Sequence, residues 1–417
     1  MPRLLYIGHV WPEPRSSAAG TRTLSLMREF SRRGWHVTFC CAAEPGERAE
    51  GLAEVATETA SIVLNDPSFD EFVADARPDV VVFDRFMTEE QFGWRVETVC
   101  PSALRVLDTI DLHCLRRARQ AAAGGRAEGS DGLRSSDIAK REIAAILRSD
   151  LSLMISRYEM DLLRNEFSID SDLLYYVPFF GVPARPDVVA RSFEERLDFA
   201  TIGNFLHPPN ADSFEWLRDE IWPLIRERLP NAELQVYGAY MPQRALACDN
   251  PASGFRVRGW APDAVSALSQ SRVCLAPLRF GAGLKGKIID AMAAGTPVVT
   301  TAIGAEGMGA SGGVGPEQLW CGVVAEDSRS LAEAAVELHE NRAMWLECQR
   351  AGLDILAEEF DAEKLGSPLV RRVQECLLSI EQRREKNFTG AILRHHHHRA
   401  TEYMARWIQA KNAKPDH

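Results

Sequence analysis

Short apolar runs alternate with helix-like segments along almost the whole chain, and this alternation stops once and then starts again. In the first half the strand-like runs are 3–8, 36–41, 61–64, 79–84, 104–110, 151–156 and 173–178, with 21–33 and 89–100 reading as helices between them. Several runs are continuously apolar, as strands covered by helices on both faces must be. Repeated strand–helix units of this kind predict a parallel, doubly wound sheet. The stretch 181–191, with Pro183 and Pro186, breaks the pattern and reads as a linker. Strand-like runs then resume at 198–203, 233–238, 255–260, 273–278 and 297–301, with helices at 212–229 and 284–294, and 328–386 reads as helix upon helix. The expectation is an α/β chain of two Rossmann-like domains, 1–185 and 192–365, followed by a C-terminal helix and polar tail, 366–417. Such sheets bind ligands at their switch points and at domain interfaces, so a site between the halves is expected.

Composition narrows the functional classes. The chain has 417 residues, enough for two or three domains, and a formal net charge of −11. That balance sets aside broad binding to nucleic acid, which needs a basic footprint. No apolar run approaches the ~20 residues that span a bilayer. The first apolar run contains Arg3 and lacks a small-residue cleavage site, so it reads as a strand and not a signal peptide. Nine scattered cysteines without metal-type spacing predict reduced thiols in a cytoplasm. The stretch 121–136 reads as a mobile loop, and His395–His398 as part of a solvated tail.

Residues 279–300 carry the chemistry: Arg-Phe-Gly-Ala-Gly-Leu-Lys-Gly-Lys-Ile-Ile-Asp-Ala-Met-Ala-Ala-Gly-Thr-Pro-Val-Val-Thr. A strand ends in a turn containing Gly281 and Gly283, where the backbone can approach a ligand closely. A helix then starts, and its free N–H groups and positive end suit a phosphate. Lys285 and Lys287 sit there although the helix dipole disfavours cations, which makes sense if an anion neutralises them. At ~100° per residue Gly283, Lys287, Asp290 and Ala294 share one stripe, opposite Ile288, Ile289 and Met292. The plain alternative is an ordinary strand–helix unit with a Lys287–Asp290 surface pair.

This stretch, with Thr301-Ala-Ile-Gly-Ala-Glu-Gly after it, resembles the donor-site signature of glycosyltransferase family 4, the retaining enzymes of GT-B architecture. Gly203-Asn204 with Pro208-Pro209-Asn210, the strand ends Tyr237-Gly238 and Arg258-Gly259-Trp260, and Asp108-Thr-Ile-Asp-Leu-His113 extend the resemblance over most of the chain. The resemblance implies two Rossmann-like domains facing across a cleft. It also implies transfer of a sugar from a nucleoside diphosphate to an acceptor hydroxyl, with the anomeric configuration retained and no metal.

By that resemblance Asp290 holds the ribose hydroxyls, Lys287 the departing diphosphate with help from Lys285, and His113 the transferring sugar. Gly20, Gly281 and Gly283 approach the donor. Asn204 stands where relatives carry a phosphate-binding arginine, and Arg279 is the expected replacement; Ala282 stands where relatives carry a first glutamate. Glu306 reads either as a contact to a sugar hydroxyl or as a plain turn residue. Arg116 and Arg117 read as a solvated helix face, with attraction of an anionic acceptor as the alternative. Glu89 and Glu90, past a strand end on the side where acceptors bind in the family, read as helix-start acids, Ser156 and Glu159 as a capping box, and Trp216 and Trp222 as core. Asp170 and Asp172 lie at the wrong end of the sheet for a metal–diphosphate pair. The implied partners are a nucleotide sugar and an acceptor glycan, lipid-linked sugar or small molecule, with no cofactor, and with contact to a membrane's inner face and oligomeric state left open. A sugar-nucleotide epimerase of the same architecture and a non-catalytic sugar-nucleotide-binding regulator are the alternatives.

Overall fold

A computed structural model describes every residue except 126–130, 183, 186–188, 190, 310–319 and 413–417. Seven strands, β1 (Arg3–Gly8), β2 (His36–Cys41), β3 (Glu58–Ser61), β4 (Val80–Asp84), β5 (Leu104–Asp108), β6 (Leu151–Met154) and β7 (Leu174–Tyr176), form one parallel sheet in the order β3-β2-β1-β4-β5-β6-β7. Six more, β8 (Leu197–Asn204), β9 (Leu234–Ala239), β10 (Phe255–Gly259), β11 (Ser271–Ala276), β12 (Val298–Thr300) and β13 (Gly322–Val324), form the second in the order β10-β9-β8-β11-β12-β13. Both orders reverse direction beside the first strand of their domain, and ligands bind outside the carboxyl ends of strands at such points. The two switch points face each other across a cleft.

The continuous apolar runs follow from this layering. Leu5 and Ile7 of β1 point into one core with Val81 and Phe83, while Leu4 and Tyr6 point into another with Val80 and Val106. Successive side chains alternate faces, and here both faces are covered, so every residue from Leu4 to Ile7 is buried. β3 behaves differently: its four residues Glu-Thr-Ala-Ser are mostly polar and exposed at the sheet edge, and it shares only Ser61 with the strand expected at 61–64, whose apolar residues 62–64 lie past it. β13 is a three-residue edge strand that hydrophobic patterning does not reveal.

The helix expected at 212–229 begins earlier, at Pro208, and passes through a π turn, Leu217–Ile221, into Trp222–Arg228. Pro223 has no N–H to give the carbonyl four residues before it, and the π turn absorbs that break. Trp216 and Trp222 are core residues, as expected.

The C-terminal segment returns to the first domain. Leu369, Val370, Val373 and Cys376 of the helix Ala362–Leu378 complete the core around Leu4 and Tyr6, each worth ~1.5–3 kcal/mol when a large side chain is fully buried. Arg384 grips the Asp150 carboxylate at 2.8 and 2.9 Å, and Asn387 donates to the Leu147 carbonyl at 2.8 Å. The expected polar tail is therefore corrected: Phe388–Asn412 is a helix, anchored by the buried Arg394, and His395 and His396 are exposed on it. The expected loop at 121–136 is corrected in part, because Asp131–Ser135 is helical and only 126–130 lies outside the described residues. All nine cysteines are unpaired. Among the described residues no helix is long and apolar enough to cross a membrane.

Candidate active site

A cleft of about 1180 Å³ lies between the two switch points. Its second-domain wall is the end of β11, the glycine turn and the helix Gly286–Ala293. Gly283 has φ +61°, and a Cβ there would lie 2.8 Å from Ile155 Cδ1 and 2.9 Å from Asp111 Cβ, both in the first domain. Glycine is thus required twice at this position, for its left-handed backbone and for the close approach of the other domain.

Lys285 caps the helix without a side-chain bond to it; its Nζ donates to the Gly283 carbonyl at 2.6 Å. Burial pulls its pKa down to about 8, with Glu306 opposing. Lys287 and Asp290 line the cleft, and among the described residues their side chains form no hydrogen bond or ion pair, not even with each other. Both are recessed yet reached by solvent. Burial lowers Lys287 to about 8 and raises Asp290 to about 7, the latter with help from Asp263. A recessed cation and a carboxylate without partners at the start of a helix are costly to the free protein, and an anion and a hydroxyl are their natural complements.

The facing wall is built from the ends of β4 and β5. Arg85 and Ile110 have φ +69° and +61°, strain of ~1–3 kcal/mol for each non-glycine residue, held where the strands end at the cleft. Asp111 pairs with Arg116, and His113 Nε2 lies 3.6 Å from Asp111 Oδ1. Burial drives His113 to a pKa of about 4 despite Asp111, so its imidazole is neutral at pH 7. His207, 3.5 Å from Arg116, is lowered to about 4 by the same cause. Burial is the largest single effect on Asp111 and would raise it, but Arg116, His113 and His207 together outweigh it and hold Asp111 below the usual carboxylate range.

Two buried carboxylates fix the backbone that presents His113. Glu142 accepts the amides of His113 and Cys114, both at 2.7 Å. Glu159 Oε1 accepts the Leu112 amide at 2.9 Å and, from the other domain, the Gly283 amide, also at 2.9 Å. They satisfy free N–H groups at the start of the His113–Ala123 helix, whose N-cap, Leu112, has no side chain able to do so. Burial raises Glu142 to about 7 and Glu159 to about 8.

Of the residues expected from sequence, His113, Lys285, Lys287, Asp290, Asn204 and Gly281 line the cleft together. Asn204 donates from Nδ2 to the Ser16 carbonyl across it, at 3.1 Å. Gly20 does not line it: a Cβ there would lie 2.6 Å from the Glu13 backbone nitrogen, so this glycine lets the 13–17 turn pack on its own helix. Nor is Arg279 brought to the helix start. It holds Asp212 at 2.6 and 2.9 Å and covers the Trp216 ring, outside the cleft lining. Glu306 is held by Arg119 at 2.7 and 2.9 Å.

Three plain readings need correction. Arg116 is not a solvated helix face, since it lies in the cleft. Glu159 does more than cap a helix; Ser156 caps it alone. Glu89 is not a helix-start acid, because the helix begins at Arg85, and it is buried against Arg148. The partners of Glu142, Glu159 and His207 come from distant segments, which no local pattern signals.

The family model described as Glycosyl transferases group 1 matches residues 196–341. A protein described as an uncharacterised 44.6 kDa protein in the cps region of Klebsiella pneumoniae is 24% identical over 177 residues, which is 41% of this chain and 44% of that protein. Among solved structures, a sucrose-phosphate synthase from Thermosynechococcus elongatus superposes with a TM-score of 0.67 at 15% identity, over 91% of this chain and 100% of that one. Anabaena HepE in complex with UDP and glucose gives 0.65 at 11%, over 90% and 100%. The pneumococcal O-GlcNAc transferase GtfA in complex with UDP and GlcNAc gives 0.63 at 11%, over 90% and 99%. These likenesses establish the GT-B arrangement of two parallel-sheet domains.

Proposed function

We propose that the protein is a retaining glycosyltransferase that moves a sugar from a nucleoside diphosphate to an acceptor hydroxyl. The observation that carries this reading is the pair Lys287 and Asp290. They lie partnerless at a helix start in the cleft, with the neutral His113 on the facing wall. The match to the group 1 glycosyl transferase model and the neighbours solved with UDP and a sugar support it.

In this reading the helix start and Lys287 receive the diphosphate, and Asp290 receives the ribose hydroxyls. As the sugar–phosphate bond breaks, charge builds on the departing diphosphate, and a fixed cation already in place lowers its energy. His113, held neutral, donates to or accepts from a sugar hydroxyl without adding charge beside the forming cationic sugar. The acceptor enters from the first-domain side and attacks on the face the diphosphate leaves, its proton passing to a phosphate oxygen, with no metal required. The cleft walls exclude water from the donor. The nine free thiols support a cytoplasmic setting, and the acceptor is a growing glycan or glycoconjugate.

Incubation with a panel of nucleotide sugars tests the proposal, with thermal stabilisation and diphosphate release as readouts. One donor class should stabilise the protein and be consumed, faster when its acceptor is present. Absence of stabilisation and of turnover with every donor would sink the reading. Conversion of the donor to an isomeric nucleotide sugar without an acceptor would replace it with epimerisation.

A further inference from the structure

The glycine turn of the second domain is gripped at both ends by side chains of the first. Arg119, on the His113–Ala123 helix, donates from Nη1 to the Gly281 carbonyl at 2.9 Å, and its fork also holds Glu306, beyond the next strand. Glu159, on the Arg157–Phe167 helix, accepts the Gly283 amide with the same Oε1 that holds Leu112 in the histidine loop. The turn between these grips leads directly to Lys285 and the start of the Gly286–Ala293 helix. Of the other hydrogen bonds between the domains, Asn204 to the Ser16 carbonyl, Trp260 to the Arg15 carbonyl and Tyr240 to Glu13 meet the 13–16 loop, and Arg116 meets His207; none of these four reaches the turn, against which Ile155 and Asp111 only pack.

We propose that Arg119 and Glu159 are positioning residues that complete the diphosphate-binding turn from the opposite domain, tying its shape to that of the histidine loop. The inference rests on the donor site described under the proposed function. Glu159 is fully buried, and among the described residues its Oε2 has no hydrogen-bond partner; the two amides that its Oε1 accepts are what a carboxyl group at this place serves. A leucine of similar size would leave two buried amides, one in each domain, without an acceptor. Arg119 is matched as closely. A planar fork that meets a carboxylate with two nitrogens and a backbone carbonyl with one of them is a fit that lysine cannot reproduce. When either grip is lost, the turn samples shapes that do not receive a diphosphate, and donor affinity falls by the fraction of time the correct shape is absent.

The test measures UDP binding by calorimetry and donor KM and kcat for the full-length protein, its variants E159A, E159Q, R119A and R119K, and the melting temperature of each. Wild type should bind UDP. E159A and R119A should bind it ~10-fold more weakly and raise donor KM by a similar factor. At saturation kcat should stay within ~2-fold in R119A, because bound diphosphate restores the shape of the turn, and should fall further in E159A, which also frees the Leu112 amide beside His113. E159Q keeps an oxygen for both amides and should bind as wild type does, while R119K should not be rescued. If E159A does not fold, R119A and the E159Q–R119K contrast still decide. Unchanged UDP affinity in folded E159A or R119A, even with a lowered melting temperature, would overturn the positioning role and leave the donor site standing. Failure of the wild type to bind any nucleoside diphosphate would overturn the donor site itself, and this inference with it.

Discussion

Replacing Lys287 with methionine should make the ligand-free protein more stable while removing its response to a diphosphate. Among the described residues Lys287 has no anionic partner in the cleft, and burial takes its pKa from the ordinary 10.5 to about 8. At about 1.4 kcal/mol per pH unit that difference amounts to a folding penalty of ~3 kcal/mol at neutral pH, an upper figure because the site relaxes. Below about pH 8 both folded and unfolded chains carry the proton and the penalty is fully present. Between pH 8 and 10.5 the folded lysine is neutral and the unfolded one still charged, so the penalty fades as pH rises. Methionine keeps much of the stem without the charge. Denaturant titration at pH 7 should therefore show Lys287→Met ~1–3 kcal/mol more stable than wild type, with the gap closing toward pH 10. UDP at a hundredfold excess over its dissociation constant should stabilise wild type by ~2.7 kcal/mol and the variant hardly at all. A variant less stable than wild type at pH 7, or equally stabilised by UDP, would refute the reasoning that an anion site sits at this helix start.

Four shorter predictions follow from the same geometry. Asp290→Asn should stabilise the free protein above pH 7, where the folded carboxyl is forced to ionise against its surroundings, and should weaken binding of UDP more than of pyrophosphate; equal loss for both ligands would remove Asp290 from the ribose. His113→Ala should leave UDP affinity within ~2-fold while cutting sugar transfer by ~10²-fold or more, a split visible in calorimetry against product formation. Because His113 titrates near 4, the rate profile of wild type should show no histidine step around pH 6.5, and such a step, lost in His113→Ala, would contradict its neutral state. Arg279→Ala should bind UDP as wild type does, since Arg279 is spent on Asp212 and Trp216; a large loss would return it to the phosphate site.

The fold was legible where physics is local. Strands such as β1 and β4 are buried on both faces, so their apolar runs could hardly be anything else. The turn and helix start around Gly281–Asp290 were equally readable, because glycines, cations and a helix period within a dozen residues carry their own meaning. What the sequence hid lies in contacts between distant segments. Arg116 has the spacing of a solvated helix face, and only the second domain, 91 residues further on at His207, turns that face into a cleft wall. Glu159 reads as half of a capping box and Glu142 carries no local signal at all; their amide partners are 28, 29, 47 and 124 residues away. Arg279 shows the converse, a residue close in sequence to the turn whose side chain another helix captures. The C-terminal helix looked like a polar tail because it is anchored by Arg394 and, just before it, by Arg384 and Asn387, which read as surface until their acceptors in the first domain are known.

The central claim is that this cleft binds a nucleoside diphosphate sugar and breaks its sugar–phosphate bond with Lys287 holding the departing charge. Release of nucleoside diphosphate from a panel of nucleotide sugars, followed for wild type and Lys287→Ala side by side, tests it most directly. The account predicts slow release from one donor class by wild type, accelerated by acceptor, and release from Lys287→Ala reduced by ~10²-fold or more. Equal release by both proteins, or none by wild type from any donor with or without acceptor glycans, would contradict it.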